Sequence, residues 1–185
     1  MDKTTNRCVL NAVVGLAMLA AALGTGAVAV AGPASMLEEP VRASRTTIGI
    51  TRAEVMRRAK TWVDRKVPYS MQRAFQGYRT DCSGFVSMAL KLPMPGPDTT
   101  ELPKYLVRID PSQLRRGDII GNIGPGTGLS AGHVVIFDRF LDNRQDKYLA
   151  YEEHGGKDGN ADILQHSWQN EKNRYKAYRY KQIAD

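Results

Sequence analysis

Residues 81–92 read DCSGFVSMALKL, and the rest of the chain is interpreted outward from this stretch. Its apolar residues recur at helical intervals, which predicts a helix that begins at or beside Cys82. Upstream, residues 51–54 (TRAE) match a capping box, and an apolar stripe at helical spacing follows them. These features predict an earlier helix over residues 51–66, which ends before Pro68.

The segments that flank the 81–92 helix are rich in turn-forming residues. Residues 68–80 are polar and contain a glycine, so we expect a loop that leads to Asp81. Five prolines between residues 92 and 112 exclude a long regular element there. A short helical turn fits residues 104–108.

The second half of the chain has the alternation that is typical of β-strands. Four segments are rich in β-branched or aromatic residues, at 117–120, 133–137, 148–152 and 175–180. Because helices precede strands, we predict an α+β fold. The glycine-rich stretch GNIGPGTG (121–128) lacks the Lys-Ser/Thr ending of a phosphate-binding loop, so we interpret it as a flexible connection to the next strand.

Composition limits the function classes. The chain has 185 residues, 42% hydrophobic and 24% charged, which is typical of one globular domain and excludes disordered, collagenous and coiled-coil proteins. The net charge of +7 favours an anionic environment without identifying a partner. We interpret the basic, aromatic segment 171–181 (EKNRYKAYRYK) as a solvated edge strand with tyrosines packed inward, and we expect no nucleic-acid partner.

The first residues have the pattern of an export signal. Two basic residues precede an apolar run over residues 8–31, and that run ends in Ala-Val-Ala at 29–31. We predict a signal peptide at 1–31, cleaved after Ala31, with an uncleaved membrane anchor as the alternative. The mature protein would then be secreted, extracellular or held in the cell wall, without stable membrane association. Residues 32–50 resemble a linker or mobile arm, and 51–185 form the predicted domain.

Cleavage would remove Cys8 and leave Cys82 alone in an oxidising compartment, where an unused thiol is a liability. Unpaired amides and partial positive charge at a helix start stabilise a thiolate, so Cys82 is a candidate nucleophile, with an inert buried cysteine as the alternative. Its backbone amide could donate to an oxyanion. A nucleophilic thiol needs an imidazole, and His133 at a strand start is the candidate base, although a structural histidine fits there equally well.

A third group usually orients the imidazole of such a pair. We prefer Glu152, because a strand paired beside the His133 strand would bring it to the site. Tyr151, Glu153 and His154 remain alternatives. Since no histidine, cysteine or carboxylate set has zinc-ligand spacing, we expect neither a metal nor another cofactor.

Four motifs occur in the order of a known family: VPY (67–69), DCSGFV (81–86), LRRGDII (114–120) and GHVVIF (132–137). Together they resemble the NlpC/P60 cysteine peptidases, which remodel bacterial cell walls. The resemblance implies a papain-like α+β domain, with the cysteine on a helix packed against an antiparallel sheet that supplies the histidine. YLAYEE (148–153) resembles a variant of exported actinobacterial members, which favours Glu152.

The resemblance also implies the substrate. Family members usually cut a peptide bond in the peptidoglycan stem, often between D-glutamate and a diamino acid. Tyr69, with Asp81 and Ser83 beside the cysteine, would then line the substrate site. We therefore predict an exported cysteine endopeptidase whose partners are peptidoglycan and the anionic wall surface. The alternatives are an N-acetylmuramoyl-L-alanine amidase of the CHAP type and a non-catalytic wall-binding protein.

Overall fold

The structure is a computed structural model that describes residues 49–185. The predicted signal peptide at 1–31 lies outside the described residues, as does the predicted arm at 32–50 except for its last two positions. Residues Ile50–Thr51 form strand β1, which pairs in parallel with the C-terminal strand β10 (Ile183–Ala184). Ile50 is buried in the core, so the folded domain includes the end of the segment predicted as an arm.

The first predicted helix is confirmed and is slightly shorter than expected. Helix α1 spans Arg52–Asp64, and the hydroxyl of Thr51 accepts a hydrogen bond from the amide of Glu54 at 3.2 Å. It ends before Lys66, which has a positive φ of 47° that a helix cannot contain. Its apolar stripe is buried, with Trp62 fully inaccessible.

The second helix begins where the sequence predicts. Helix α2 spans Cys82–Ala89, and the carboxylate of Asp81 caps it by accepting from the amide of Gly84 at 2.7 Å. All eight residues of α2 are buried. A Cβ at Gly84 would lie 1.9 Å from the carbonyl oxygen of Arg79, so only glycine permits this close approach of helix and preceding strand.

The predicted loop at 68–80 is wrong. It contains a hairpin of β2 (Ser70–Phe75) and β3 (Tyr78–Thr80), whose turn places Gln76 and Gly77 at positive φ. The residues of β2 are mostly exposed. Because neither face of β2 is buried, the strand lacks the apolar alternation by which strands are recognised in a sequence.

A six-stranded antiparallel sheet forms the rest of the domain, in the order β4-β9-β5-β6-β7-β8. The strands are β4 (Leu106–Arg108), β5 (Ile119–Asn122), β6 (His133–Phe140), β7 (Lys147–Glu153), β8 (Ala161–Ser167) and β9 (Lys176–Tyr180). A single-turn helix, α3 (Trp168–Glu171), follows β8. Helices that precede an antiparallel sheet confirm the predicted α+β class.

Three details of the sheet differ from expectation. Strand β9 is an internal strand between β4 and β5, so the prediction of an edge strand at the C-terminal segment is wrong. The helical turn expected at 104–108 is a 3₁₀ turn at Leu102–Lys104 followed directly by β4. Strand β8 was not predicted, because this edge strand has polar residues on both faces.

The two faces of the sheet carry separate apolar clusters. Alternate residues of β6 divide between them, since Val134 and Ile136 pack with the helices whereas Val135 and Phe137 pack with Tyr148 on the other face. Within residues 49–185, no helix has the length and apolar character that crossing a membrane requires.

Candidate active site

The thiol of Cys82 lies at the first position of α2, almost fully buried. The carboxylate of Asp81 accepts from the hydroxyl of Ser83 at 2.7 Å and from Nε of Arg79 at 2.7 Å, in addition to its cap bond. These bonds fix the position of Asp81 and therefore the orientation of the first turn of α2. The amides of Gly84 and Phe85 donate to Asp81. Those of Cys82 and Ser83 precede the first bonds of the helix, so these two amides are suited to a developing negative charge.

His133 is the first residue of β6, and its imidazole is held by a carboxylate. Its Nε2 lies 2.7 Å from Oε2 of Glu152. Burial lowers the pKa of His133, but hydrogen bonds with the thiol of Cys82 and with Glu152 outweigh burial and raise the pKa to about 10. Because Nε2 is engaged by Glu152, Nδ1 is the ring nitrogen left for the thiol.

Glu152 lies near the end of β7 and bridges two imidazoles. Its Oε2 contacts His133, and its Oε1 lies 2.7 Å from Nε2 of His166 on β8. Its side chain is almost inaccessible. Burial raises the pKa of this carboxyl, but the two imidazoles lower it to about 2, so Glu152 remains ionised.

Sequence reasoning missed His166, which lies on β8, a strand that the sequence pattern does not predict. Its Nδ1 lies 2.9 Å from Oε1 of Glu171, and its ring stacks on Tyr148 with centroids 5.2 Å apart and an interplanar angle of 18°. The residues His133, Glu152, His166 and Glu171 thus form one continuous hydrogen-bonded series, called the His–Glu chain below. Tyr148 and His166 are paired across β7 and β8, and this pairing is the signal that could have identified His166. The signal is lost because β8 is not recognisable in the sequence.

The three expected substrate-site residues lie beside Cys82. A cleft of about 270 Å³ is lined by Tyr69, Asp81, Cys82 and Ser83 together with Met71, Arg79, Asp98, Thr99, Glu101 and Leu129. The structure therefore places Tyr69 at the cleft, whereas the polar atoms of Asp81 and Ser83 are already bonded within the protein. Sequence reasoning missed Asp98, Thr99 and Glu101, because the proline-rich segment that carries them has no regular pattern.

The alternatives to Glu152 lie elsewhere. Tyr151 belongs to the cluster under the helices. Glu153 is fully buried, and among the described residues neither of its carboxylate oxygens has a hydrogen-bond partner. His154 lies in the turn after β7, with Nδ1 3.1 Å from the carbonyl oxygen of Gly155. The structure thus brings Glu152 to His133 and leaves His154 in a separate contact.

The assembled groups are of the types that nucleophilic thiol chemistry uses. A buried thiol at a helix start, an imidazole beside it and an ionised carboxylate behind the imidazole can perform nucleophilic attack with general acid and base assistance. Within residues 49–185, no group of three or more histidine, cysteine, aspartate or glutamate side chains is arranged to hold a metal ion.

Comparison with solved structures gives 11 matching chains, one of which is described here. No family model matches the sequence, and no curated protein matches it. A crystal structure described as similar to a lipoprotein of the NLP/P60 family, from Staphylococcus aureus subsp. aureus Mu50, aligns with 17% sequence identity and a TM-score of 0.48. The alignment covers 72% of this chain and 42% of that one, so this chain spans less than half of that protein's length.

Proposed function

We propose that this protein is an exported cysteine hydrolase that cleaves an amide bond in the stem peptide of peptidoglycan. The observation that carries the proposal is the position of Cys82 at the start of α2, beside an imidazole whose far nitrogen is held by Glu152. The motifs DCSGFV and GHVVIF, which resemble cell-wall peptidases, support the substrate class. The net charge of +7 suits an anionic wall.

The mechanism follows from the positions of these groups. The thiolate of Cys82 attacks the carbonyl carbon of the amide, and the C=O electron pair moves to the oxygen as an oxyanion. Backbone amides of the first turn of α2 donate hydrogen bonds to that oxyanion. The intermediate then collapses, the C–N bond breaks, and Nδ1 of the His133 imidazolium gives its proton to the departing nitrogen.

The second half of the cycle restores the enzyme. His133, now neutral, accepts a proton from water while the water oxygen attacks the thioester carbon. The C–S bond breaks, which releases a carboxylic acid and regenerates the thiolate–imidazolium pair. Throughout, Glu152 holds Nε2–H of His133 and compensates the positive charge on the ring.

Digestion of purified sacculi by the purified protein tests the proposal, with Cys82→Ala as the control. Mass spectrometry of the soluble fragments should show a new free amino group on the diamino acid that follows D-glutamate. A new amino group on L-alanine would identify an N-acetylmuramoyl-L-alanine amidase instead. Equal retention of wild type and Cys82→Ala on sacculi, without released fragments, would identify a wall-binding protein and overturn the proposal.

A further inference from the structure

The carboxylate of Glu152 is bound at both oxygens. One oxygen contacts Nε2 of His133, and the other contacts Nε2 of His166, each at 2.7 Å. A glutamate side chain has three rotatable bonds, and a single hydrogen bond leaves its carboxylate free to turn about the last of them. The second bond, from the neighbouring strand β8, holds the carboxylate in the orientation in which it meets His133.

His166 is itself held on three sides. Its two ring nitrogens face Oε1 of Glu152 and Oε1 of Glu171, and its ring lies flat against Tyr148. The hydroxyl of Tyr148 donates to the other oxygen of Glu171 at 2.5 Å, which fixes the outer carboxylate as well. The stacked ring and both carboxylates leave His166 a single orientation.

The contacts of His166 determine its protonation state. A neutral imidazole has one N–H, so it can satisfy only one of two flanking carboxylates, whereas the imidazolium donates to both. Burial lowers the pKa of His166, but its bonds with Glu152 and Glu171 raise it to about 9. His166 therefore donates to Glu152 from a fixed, cationic ring at neutral pH.

His166 does not touch the substrate cleft. Among the described residues, those that line the cleft include Cys82 but no member of the His–Glu chain, and the side-chain hydrogen bonds of His166 go only to Glu152 and Glu171. Tyr148, on which His166 stacks, belongs to the apolar cluster on the sheet face opposite the helices. Any effect of His166 on the thiol therefore passes through Glu152 and His133.

We propose that His166, held by Glu171, is a positioning residue that fixes the Glu152 carboxylate against His133 and so keeps the imidazole in place for the thiol of Cys82. The inference rests on the thiol chemistry of the proposed function and extends it by two residues that do not meet the substrate. It is independent of which amide is cut.

The test compares His166→Ala with His166→Gln. Glutamine lacks the positive charge but can still donate an N–H to Oε1 of Glu152, whereas alanine removes the donor. Ser167→Ala is the matched control, since it removes a side-chain hydrogen bond of the same strand, from the Ser167 hydroxyl to Asp146 at 3.0 Å, without contacting the His–Glu chain. Thermal denaturation of each variant shows whether the fold is retained.

The first readout is the rate of Cys82 alkylation by iodoacetamide across pH 4–9. Because His166→Ala lacks the donor, its alkylation rate should begin to rise about one pH unit higher than that of wild type. At the low-pH end of this rise the alkylation rate should be about tenfold lower. His166→Gln should stay within about threefold of wild type, because a positioned donor remains. Ser167→Ala should match wild type. Identical alkylation profiles for His166→Ala and wild type would overturn the proposal. A profile for His166→Gln that is shifted as far as that of His166→Ala would overturn it as well.

The second readout separates this inference from the proposed function. In sacculus digestion, His166→Ala should lower kcat about tenfold with KM within about twofold, because the residue acts on the chemical step and not on binding. A loss confined to KM would contradict a positioning role. If wild type releases no fragments while the alkylation shift is observed, the wall-hydrolase proposal fails and the positioning role stands. If His166→Ala does not fold, Glu171→Ala and His166→Gln carry the test. The larger alkylation shift is expected for Glu171→Ala, because it removes the acceptor that holds Nδ1 of His166.

Discussion

Oε2 of Glu152 lies 2.7 Å from Nε2 of His133, although the two residues are on different strands and 19 positions apart in the chain. The pairing of β6 with β7, in which Ile136 faces Tyr151, brings them to the same end of the sheet. This contact leaves Nδ1 of His133 for the thiol of Cys82.

His133→Ala should lower turnover in sacculus digestion by at least about 10², because it removes the group that both accepts and donates the proton. His154→Ala should change turnover little, since His154 bonds only to a backbone carbonyl in the turn after β7. If the His154 variant lost cleavage while the His133 variant retained it, the catalytic base would be His154 and not His133.

Burial lowers the pKa of the His133 imidazole, whereas the thiol of Cys82 and then the Glu152 carboxylate raise it, to about 10. Glu152→Gln should retain hydrogen bonding to His133 but lose the contribution of the carboxylate charge. A histidine with a raised pKa keeps its proton until the pH passes that value, so wild-type activity should persist into alkaline solution. In the glutamine variant the alkaline limb of kcat/KM should move to lower pH, and turnover should fall between those of wild type and His133→Ala. An unchanged alkaline limb would contradict the assigned role of Glu152.

Glu153→Gln should stabilise the protein at pH 8 and leave its stability unchanged below pH 4.5. Burial first, and then the charge of Asp81, raises the pKa of Glu153 to about 8 from an ordinary value of 4.5. Below pH 4.5 the carboxyl is protonated in the folded and unfolded chains alike. Between these values the unfolded chain ionises and the folded chain does not, so wild type loses stability as the pH rises.

The measurement for Glu153→Gln is the melting temperature at several pH values, with the exposed Asp158→Asn as a control for the loss of one carboxylate. The difference between Glu153→Gln and wild type should grow from pH 4.5 to pH 8. If the difference in melting temperature stayed constant across this pH range, ionisation of the Glu153 carboxyl would not be the cause of the loss of stability.

Gly84→Ala should destabilise the fold by roughly 2 kcal/mol or more, because the new Cβ would lie 1.9 Å from the backbone oxygen of Arg79. Gly128→Ala is the matched control, since its Cβ would meet only Thr100 at an ordinary 3.6 Å. Chemical denaturation measures both free energies of unfolding. Equal effects would mean that the α2 start can move away from β3 without loss.

Glu152 and His166 differ in how far the sequence predicts them. Glu152 lies near the end of a recognisable strand beside the His133 strand, so the sequence favoured it as the partner of His133 while leaving Tyr151, Glu153 and His154 as alternatives. His166 lies on an edge strand whose burial does not alternate cleanly, so neither the strand nor the function of the residue was predicted.

The sequence by itself determined the features that depend on neighbouring residues. A capping carboxylate at Asp81 and apolar residues at helical spacing start α2 at Cys82, and β-branched residues start β6 at His133. Both are local preferences that act over a few residues. Only the tertiary structure decided which side chains meet. The bond between Glu152 and His166 spans 14 positions and depends on the register of β7 with β8, which is set by the packing of whole strands.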